Sequence, residues 1–282
     1  MTDSPLVSVV IPNHNYGKFV TDAVESVLCQ DYSLVEIVVV DNGSTDNSID
    51  RLSQFGNRIQ LIAQDDQGQA GGRNRGISES HGDFIAFLDA DDTWDSKKLS
   101  SQIPLFENPS VGLVYSSITV CGPDLEPLHV DPALYKGDCR QAFLDRIGSA
   151  VVVGGESTSI VRRSCLLEVG GFDPVLTGAT GWDLYRRIAS NHEFDFVNKP
   201  LANYRQHGIN LHLQPYYREQ YYCDMASAYQ KLFKDPDWSD FFDQQRKVET
   251  RLKLAKTKDL VKASKSLKAV RHGLSWIRQK GN

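Results

Sequence analysis

Short β-branched runs alternate with stretches of helical spacing over the first third of the chain. Val7 to Ile11 reads as a buried strand ended by Pro12, and the apolar positions from Phe19 to Leu28 recur at helical intervals. Val35 to Val40 is a second strand, followed by the turn-and-cap cluster Asp41 to Asp46 and a helix to about Phe55. Arg58 to Ala63 gives a third strand, Gln69 to Ser80 a glycine-rich helix, and Asp83 to Leu88 a fourth strand. This order predicts an α/β fold, a parallel sheet with helices on both faces.

The remainder is less regular. Val111 to Arg163 reads as strand-rich with loops, Trp182 to Ser190 returns to helical spacing, and Glu193 to Tyr204 reads as a strand. From Pro215 onward the pattern is helical throughout, with an aromatic-rich stretch from Tyr216 to Phe233. Leu260, Ala263, Leu267, Val270, Leu274 and Ile277 then line one helix face while Lys258, Lys262, Lys265, Lys268 and Arg271 populate the others.

Charge sharpens the picture of that tail. The 282 residues carry a net charge of −5, but Gln244 to Asn282 carries +10 and the rest −15. An acidic body with a basic amphipathic tail points to an anionic membrane surface or to self-association through the terminal helix. Nucleic acid is disfavoured because no recognition motif accompanies the charge. The five cysteines are scattered without metal or disulfide spacing, which points to a reducing cytoplasm. No apolar run is long enough to span a membrane, and no signal-peptide pattern opens the sequence. The expected location is cytoplasmic, free or peripheral at the inner face of the membrane.

The candidate chemistry begins with "FLDADDTWD", where Asp89, Asp91, Asp92 and Asp95 crowd together at the end of the fourth strand. A solvated loop that caps a helix is one reading, and a divalent cation that relieves the repulsion is the other. Asp41 also stands at a strand's carboxyl end, where ligands bind on parallel sheets, so two acidic strand ends face one crevice. A nicotinamide-binding domain is disfavoured, since Pro12 to Asn15 occupies the place where its glycine-rich turn belongs.

The ordered series "VSVVIPNHN", "VVVDNGSTDNS", "GGRNRGI", "GDFIAFLDADD" and "EVGGFDPVL" resembles the family 2 glycosyltransferases of the GT-A fold, over about residues 6 to 207. The resemblance implies a Rossmann-like, mostly parallel sheet with helices on both faces and a helical C-terminal extension. Residues 1–212 would form the catalytic domain, with a nucleotide-sugar-binding half at 1–110 and an acceptor half at 111–212, and 213–282 the helical region. It further implies a nucleotide-sugar donor, with Asp41 on the nucleobase, Pro12 and Asn15 beside the base, and Arg73 contributing to donor binding. Asp89, Ala90 and Asp91 match the family's Asp-x-Asp segment, which holds the ribose and a Mn²⁺ or Mg²⁺ on the diphosphate. Asp91 and Asp92 are the metal candidates, joined by His207 of "YRQHG". The acceptor implied is a glycan or lipid-linked saccharide, and the transfer proceeds with inversion.

One departure stands out. Relatives place an acidic pair after "GGFD", in patterns such as "EDWDL", to supply a general base. Here Thr180 and Gly181 hold those places. Asp183 is the nearest carboxylate, although Thr180-x-x-Asp183 also resembles a capping box with Thr180 as N-cap. Glu156, in "VGGESTS", is a second candidate base on the acceptor side. The departure keeps open a rival reading, a catalytically impaired nucleotide-sugar-binding or scaffolding relative.

Overall fold

The computed structural model describes residues 4–147 and 150–258. In chain order these give β1 (Val7–Asn13), α1 (Val20–Leu28), β2 (Val35–Asn42), α2 (Ser48–Ser53), β3 (Gln60–Gln64), α3 (Gly68–Ser78), β4 (Phe84–Phe87), β5 (Thr93–Trp94) and α4 (Lys98–Gln102). They continue through β6 (Val111–Cys121), β7 (Pro127–Asp131), α5 (Arg140–Asp145), β8 (Ile160–Arg162), α6 (Arg163–Glu168), α7 (Thr180–Ala189), β9 (Glu193–Arg205) and α8 (Pro215–Leu232).

The strands join one sheet in the order β3-β2-β1-β4-β8-β6-β9-β5, with β7 paired to β6. The first four strands are parallel, as the alternation of strand and helix dictates. Beyond β4 the sheet turns mixed: β8 runs antiparallel to β4 and β6, while β6 and β9 are parallel neighbours. Pro12 does not end the first strand but stays paired opposite Val40. The β1–β4 ladder stops at Val10, so Pro12 faces only one partner strand and its missing N–H is tolerated.

Side-chain alternation divides the interior into two cores, one on each face of the sheet. Val9, Ile11, Ile37 and Val39 pack with α1 and α4 residues such as Val24 and Leu99, whereas Val10, Ile85 and Phe87 face Leu184 and Ile188 of α7 and Met225 and Tyr229 of α8. Gly76 lets α3 lie directly on β1, since a Cβ there would come within 2.2 Å of Val10 Cγ1. The C-terminal region is helical as expected. After α8 and a 3₁₀ segment (Pro236–Gln244), helical residues 245–258 dock through Val248 and Leu252. Residues 259–282, with most of the basic amphipathic stripe, lie outside the described residues. Among the described residues no helix is long and apolar enough to cross a membrane.

Candidate active site

A cleft of about 670 Å³ opens over the carboxyl ends of β1, β2 and β4, the place where strand order directs ligands on a parallel sheet. One end is built by the loops after β1 and β2. Asn15 adopts a left-handed backbone (φ 60°), a conformation asparagine tolerates, and its Oδ1 accepts from Thr45 N at 2.7 Å, tying the two loops together. Pro12, Asn15, Asn42 and Asp66 all line the cleft.

Asp41 stands just behind that wall. It is 1% exposed, and its two oxygens accept from Asn13 Nδ2 at 2.8 Å and Ser44 N at 3.0 Å. The acid facing the cleft here is Asp66, which accepts from Asn42 Nδ2 and Gly68 N at 2.7 and 2.9 Å. Asp66 was not among the candidates from sequence, although it repeats the pattern of an acid just past a strand's carboxyl end.

The acidic loop between β4 and β5 forms the floor. Asp89, Ala90 and Asp91 face the cleft. Asp89 accepts from Arg73 Nη2 at 2.7 Å, and Asp91 Oδ2 lies 3.0 Å from His207 Nε2 and 3.2 Å from Asn210 Nδ2. His207 is itself stacked on Phe19, with ring centroids 4.6 Å apart. The structure therefore brings Asp91 and His207 together, as the metal assignment requires, and adds Asn210. Asp92 is not brought to the cleft. Its oxygens accept from Ser157 Oγ at 2.6 Å and Arg205 N at 3.0 Å, and it borders a separate cavity of about 440 Å³ on the far side of Asp89 and Tyr204. Asp92, expected among the metal ligands, is thus held by Ser157 and Arg205 on the other side of the loop, apart from the cleft that Asp89 and Asp91 face.

Arg205 secures the whole loop. Its Nε donates to Asp91 O and its Nη2 to Asp22, while its backbone N–H holds Asp92. Electrostatics mark the loop as short of positive charge. Burial first, and then the charges of Asp91 and Asp89, raise the Asp92 carboxyl well above its ordinary range. Burial also lifts Asp89, to about 6, despite the opposing pull of Arg73. Carboxylates held together against their own repulsion fit a hard divalent cation, with an imidazole beside them that suits Mn²⁺. Among the described residues no three His, Cys, Asp or Glu side chains form a ready-made cage. Such a cation would therefore need oxygens from a ligand or water as well.

Arg73, 4% exposed, spans the cleft between Asp89 and Glu156, whose Oε1 is 3.7 Å from Nη1. Its Nε and Nη1 find no hydrogen-bond partner among the described residues, so donors remain for an anionic ligand. The neighbouring Asn74 clamps the "GGFD" turn by exchanging hydrogen bonds of 2.8 and 2.9 Å with Phe172 O and N. That contact brings α7 to the far wall, where Gly181, Tyr185, Tyr217 and Tyr221 line the cleft.

Asp183 plays neither role expected of it. The N-cap of α7 is Ala179 and no side chain caps it, because the helix begins at Thr180 itself. Asp183 is 1% exposed and turned from the cleft, its oxygens accepting from Arg186 at 3.0 and 3.2 Å and from Arg187 at 2.9 Å. Glu156, in contrast, lines the cleft.

A sequence model described as glycosyl transferase family 2 matches residues 8–166. The chain is 35% identical over 219 residues to an uncharacterized glycosyltransferase of Nostoc sp., covering 73% of this chain and 66% of that protein. It is 34% identical over 120 residues to an Escherichia coli UDP-Glc:alpha-D-GlcNAc-diphosphoundecaprenol beta-1,3-glucosyltransferase, covering 42% of this chain and 47% of that one. The chain spans less than two thirds of the length of these relatives. Among solved structures, S. aureus TarS 1-349 in complex with UDP-GlcNAc aligns with a TM-score of 0.66 at 17% identity, over 84% of this chain and 71% of that one. The mannosyltransferase PcManGT of Pyrobaculum calidifontis, in complex with GDP-Man and Mn2+, aligns with a TM-score of 0.64 at 20% identity, over 96% and 76%. These two likenesses show a shared fold.

Proposed function

The chain belongs to glycosyl transferase family 2, and from that premise we propose that it moves a sugar from a nucleoside-diphosphate sugar, most simply a UDP-sugar, to a saccharide hydroxyl with inversion. The observation that carries this reading is the acidic floor of the cleft. Asp89 and Asp91 face it from a loop that burial and mutual repulsion make costly, beside Arg73 with donors to spare. A Mn²⁺ or Mg²⁺ held by Asp91, with Asp89 and His207 beside it, would supply the positive charge that a diphosphate leaving group needs.

The chain's own residues take the other parts. The nucleobase lies against Pro12, Asn42 and Asp66, with Asp41 fixing the loop behind them. Arg73 offers its remaining donors to the diphosphate, and the tyrosines of α8 close the acceptor side. A lipid-linked saccharide is the acceptor we favour, supported by the diphosphoundecaprenol acceptor in the name of the Escherichia coli relative. The cleft rim fits this, because Ile209 and Tyr216 there are 59% and 66% exposed.

The rival reading, a relative that binds donor without transferring, draws on the burial of Asp183. The two share a donor site, so the first experiment is a thermal-shift panel of UDP, GDP, CDP and dTDP, each with Mn²⁺ or with EDTA. Stabilisation by one nucleotide only when metal is present is expected, and Asp91→Ala should abolish it. Metal-dependent binding that survives Asp91→Ala refutes the site.

A further inference from the structure

Four carboxylates line the cleft, Asp66, Asp89, Asp91 and Glu156. Three are committed to neighbours: Asp66 to Asn42 and Gly68, Asp89 to Arg73, and Asp91 to His207 and Asn210. Glu156 is different. It rises from a 3₁₀ turn (Gly155–Thr158) on the wall opposite the nucleobase end, and among the described residues no hydrogen bond takes its carboxylate oxygens. Arg73 Nη1 at 3.7 Å lies beyond hydrogen-bond length. The side chain is 15% exposed, shielded yet still open to the cleft.

What shields it is the first turn of α7. A Cβ added to Gly181 would stand 2.7 Å from Glu156 Oε1, 2.9 Å from Cδ and 3.1 Å from Oε2. The carboxylate thus fills the volume that any other residue at position 181 would claim for its own side chain. Gly181 has no positive φ to explain it, so the close approach is the physical reason for glycine here.

The geometry points to Glu156 as the general base, delivered from the 3₁₀ turn into space that Gly181 leaves vacant. This assignment rests on the transferase reading above. Glu156 takes the proton from the acceptor hydroxyl as that oxygen forms a bond to the anomeric carbon. The bond from that carbon to the diphosphate oxygen breaks, its electron pair leaves on the nucleoside diphosphate, and the proton on Glu156 passes to solvent. Arg73 is a positioning residue in this step, because its charge lies between Glu156 and the donor-side Asp89, attracts both carboxylates and offsets their mutual repulsion.

The test uses the full chain and measures two quantities: release of nucleoside diphosphate from UDP-glucose, UDP-GlcNAc and GDP-mannose with Mn²⁺, and affinity for the free nucleotide. Glu156→Gln should bind nucleotide as the unsubstituted chain does while release falls by about 10² to 10⁴-fold. Gly181→Ala should slow release by displacing the carboxylate, again without loss of nucleotide affinity. The combination Glu156→Ala with Gly181→Asp, which returns a carboxylate to the same volume from the other side, should release more nucleotide than Glu156→Ala alone. Unchanged release by Glu156→Gln overturns the assignment, as does a fall in nucleotide affinity that accounts for the whole loss. A double variant that folds, binds nucleotide and recovers nothing overturns the shared-volume argument. If the unsubstituted chain binds nucleotide but releases none from any donor, the transferase reading itself fails, and this assignment with it.

Discussion

Replacing Asp183 separates structure from chemistry most sharply. In Asp183→Asn one oxygen remains for Arg186, but the amide turns a donor toward Arg187 Nε, and the charge that two guanidinium groups share disappears. Breaking a buried ion pair from one side costs about 3 to 5 kcal/mol, because the surviving charge is left without compensation. Two contacts place this case at the lower end. Arg186 keeps Asp235 at 3.6 Å, and Arg187 still donates to Val169 O and Gly171 O at 2.6 and 2.8 Å. A loss of about 3 kcal/mol remains, a large part of the roughly 5 to 15 kcal/mol that holds a domain folded. At about 2 to 4 °C per kcal/mol the melting temperature should drop by about 6 to 12 °C. Urea unfolding followed by the fluorescence of the buried Trp94, Trp182 and Trp238 measures the stability, and nucleoside diphosphate release per folded molecule measures the chemistry. The second should be unchanged at a temperature where the variant is folded. Stability within about 1 kcal/mol of the unsubstituted chain, or full stability with release lost, refutes the structural role.

Asp92→Asn should raise the melting temperature of metal-free protein, since it removes a buried charge yet can still accept from Arg205 N and donate to Ser157 Oγ; a fall in a thermal scan refutes this. The pH dependence follows from the same raised carboxyl. Its charge costs stability above the raised folded value, so metal-free protein should gain stability as pH falls through that value, and differential scanning should show a smaller gain in Asp92→Asn. Gly76→Ala should lose about 1 to 3 kcal/mol through overpacking against Val10, and isothermal titration should show weaker nucleotide binding because α3 also carries Arg73.

Of the four parallel strands, β1, β2 and β4 were legible in the sequence as short apolar runs largely buried on both sides, while β3, half exposed at the sheet edge, was legible from its place between two helical stretches. The mixed second half was not, since β8 has only three residues and its neighbours are set by long-range packing. Within the site, Asp89 was readable from its place at a strand end, and Asp91 and Arg73 from the motifs that resemble the family's, Arg73 lying in the middle of α3. Asp183 was misread as a cap although the correcting signal was present: arginines three and four residues on share its helix face. Asp92 could not be separated from Asp91 by sequence, because adjacent residues in a turn point apart in a way only the partners Ser157 and Arg205 reveal. The meeting of Glu156 with Gly181 depends on how a 3₁₀ turn abuts a helix, and no local pattern encodes it.

Arg205 has a bearing on how such proteins can be recombined. The acidic loop follows the last of the four parallel strands, yet the guanidinium that fixes Asp91 O comes from 114 positions downstream and also reaches back to Asp22. His207 and Asn210 follow it within one short segment. A chimera cut near residue 110, between the parallel and mixed parts of the sheet, would inherit an acidic loop fitted to another chain's anchor. Exchanging acceptor preference between relatives should therefore leave the segment from Arg205 to Asn210 with its original N-terminal half and graft only what lies between.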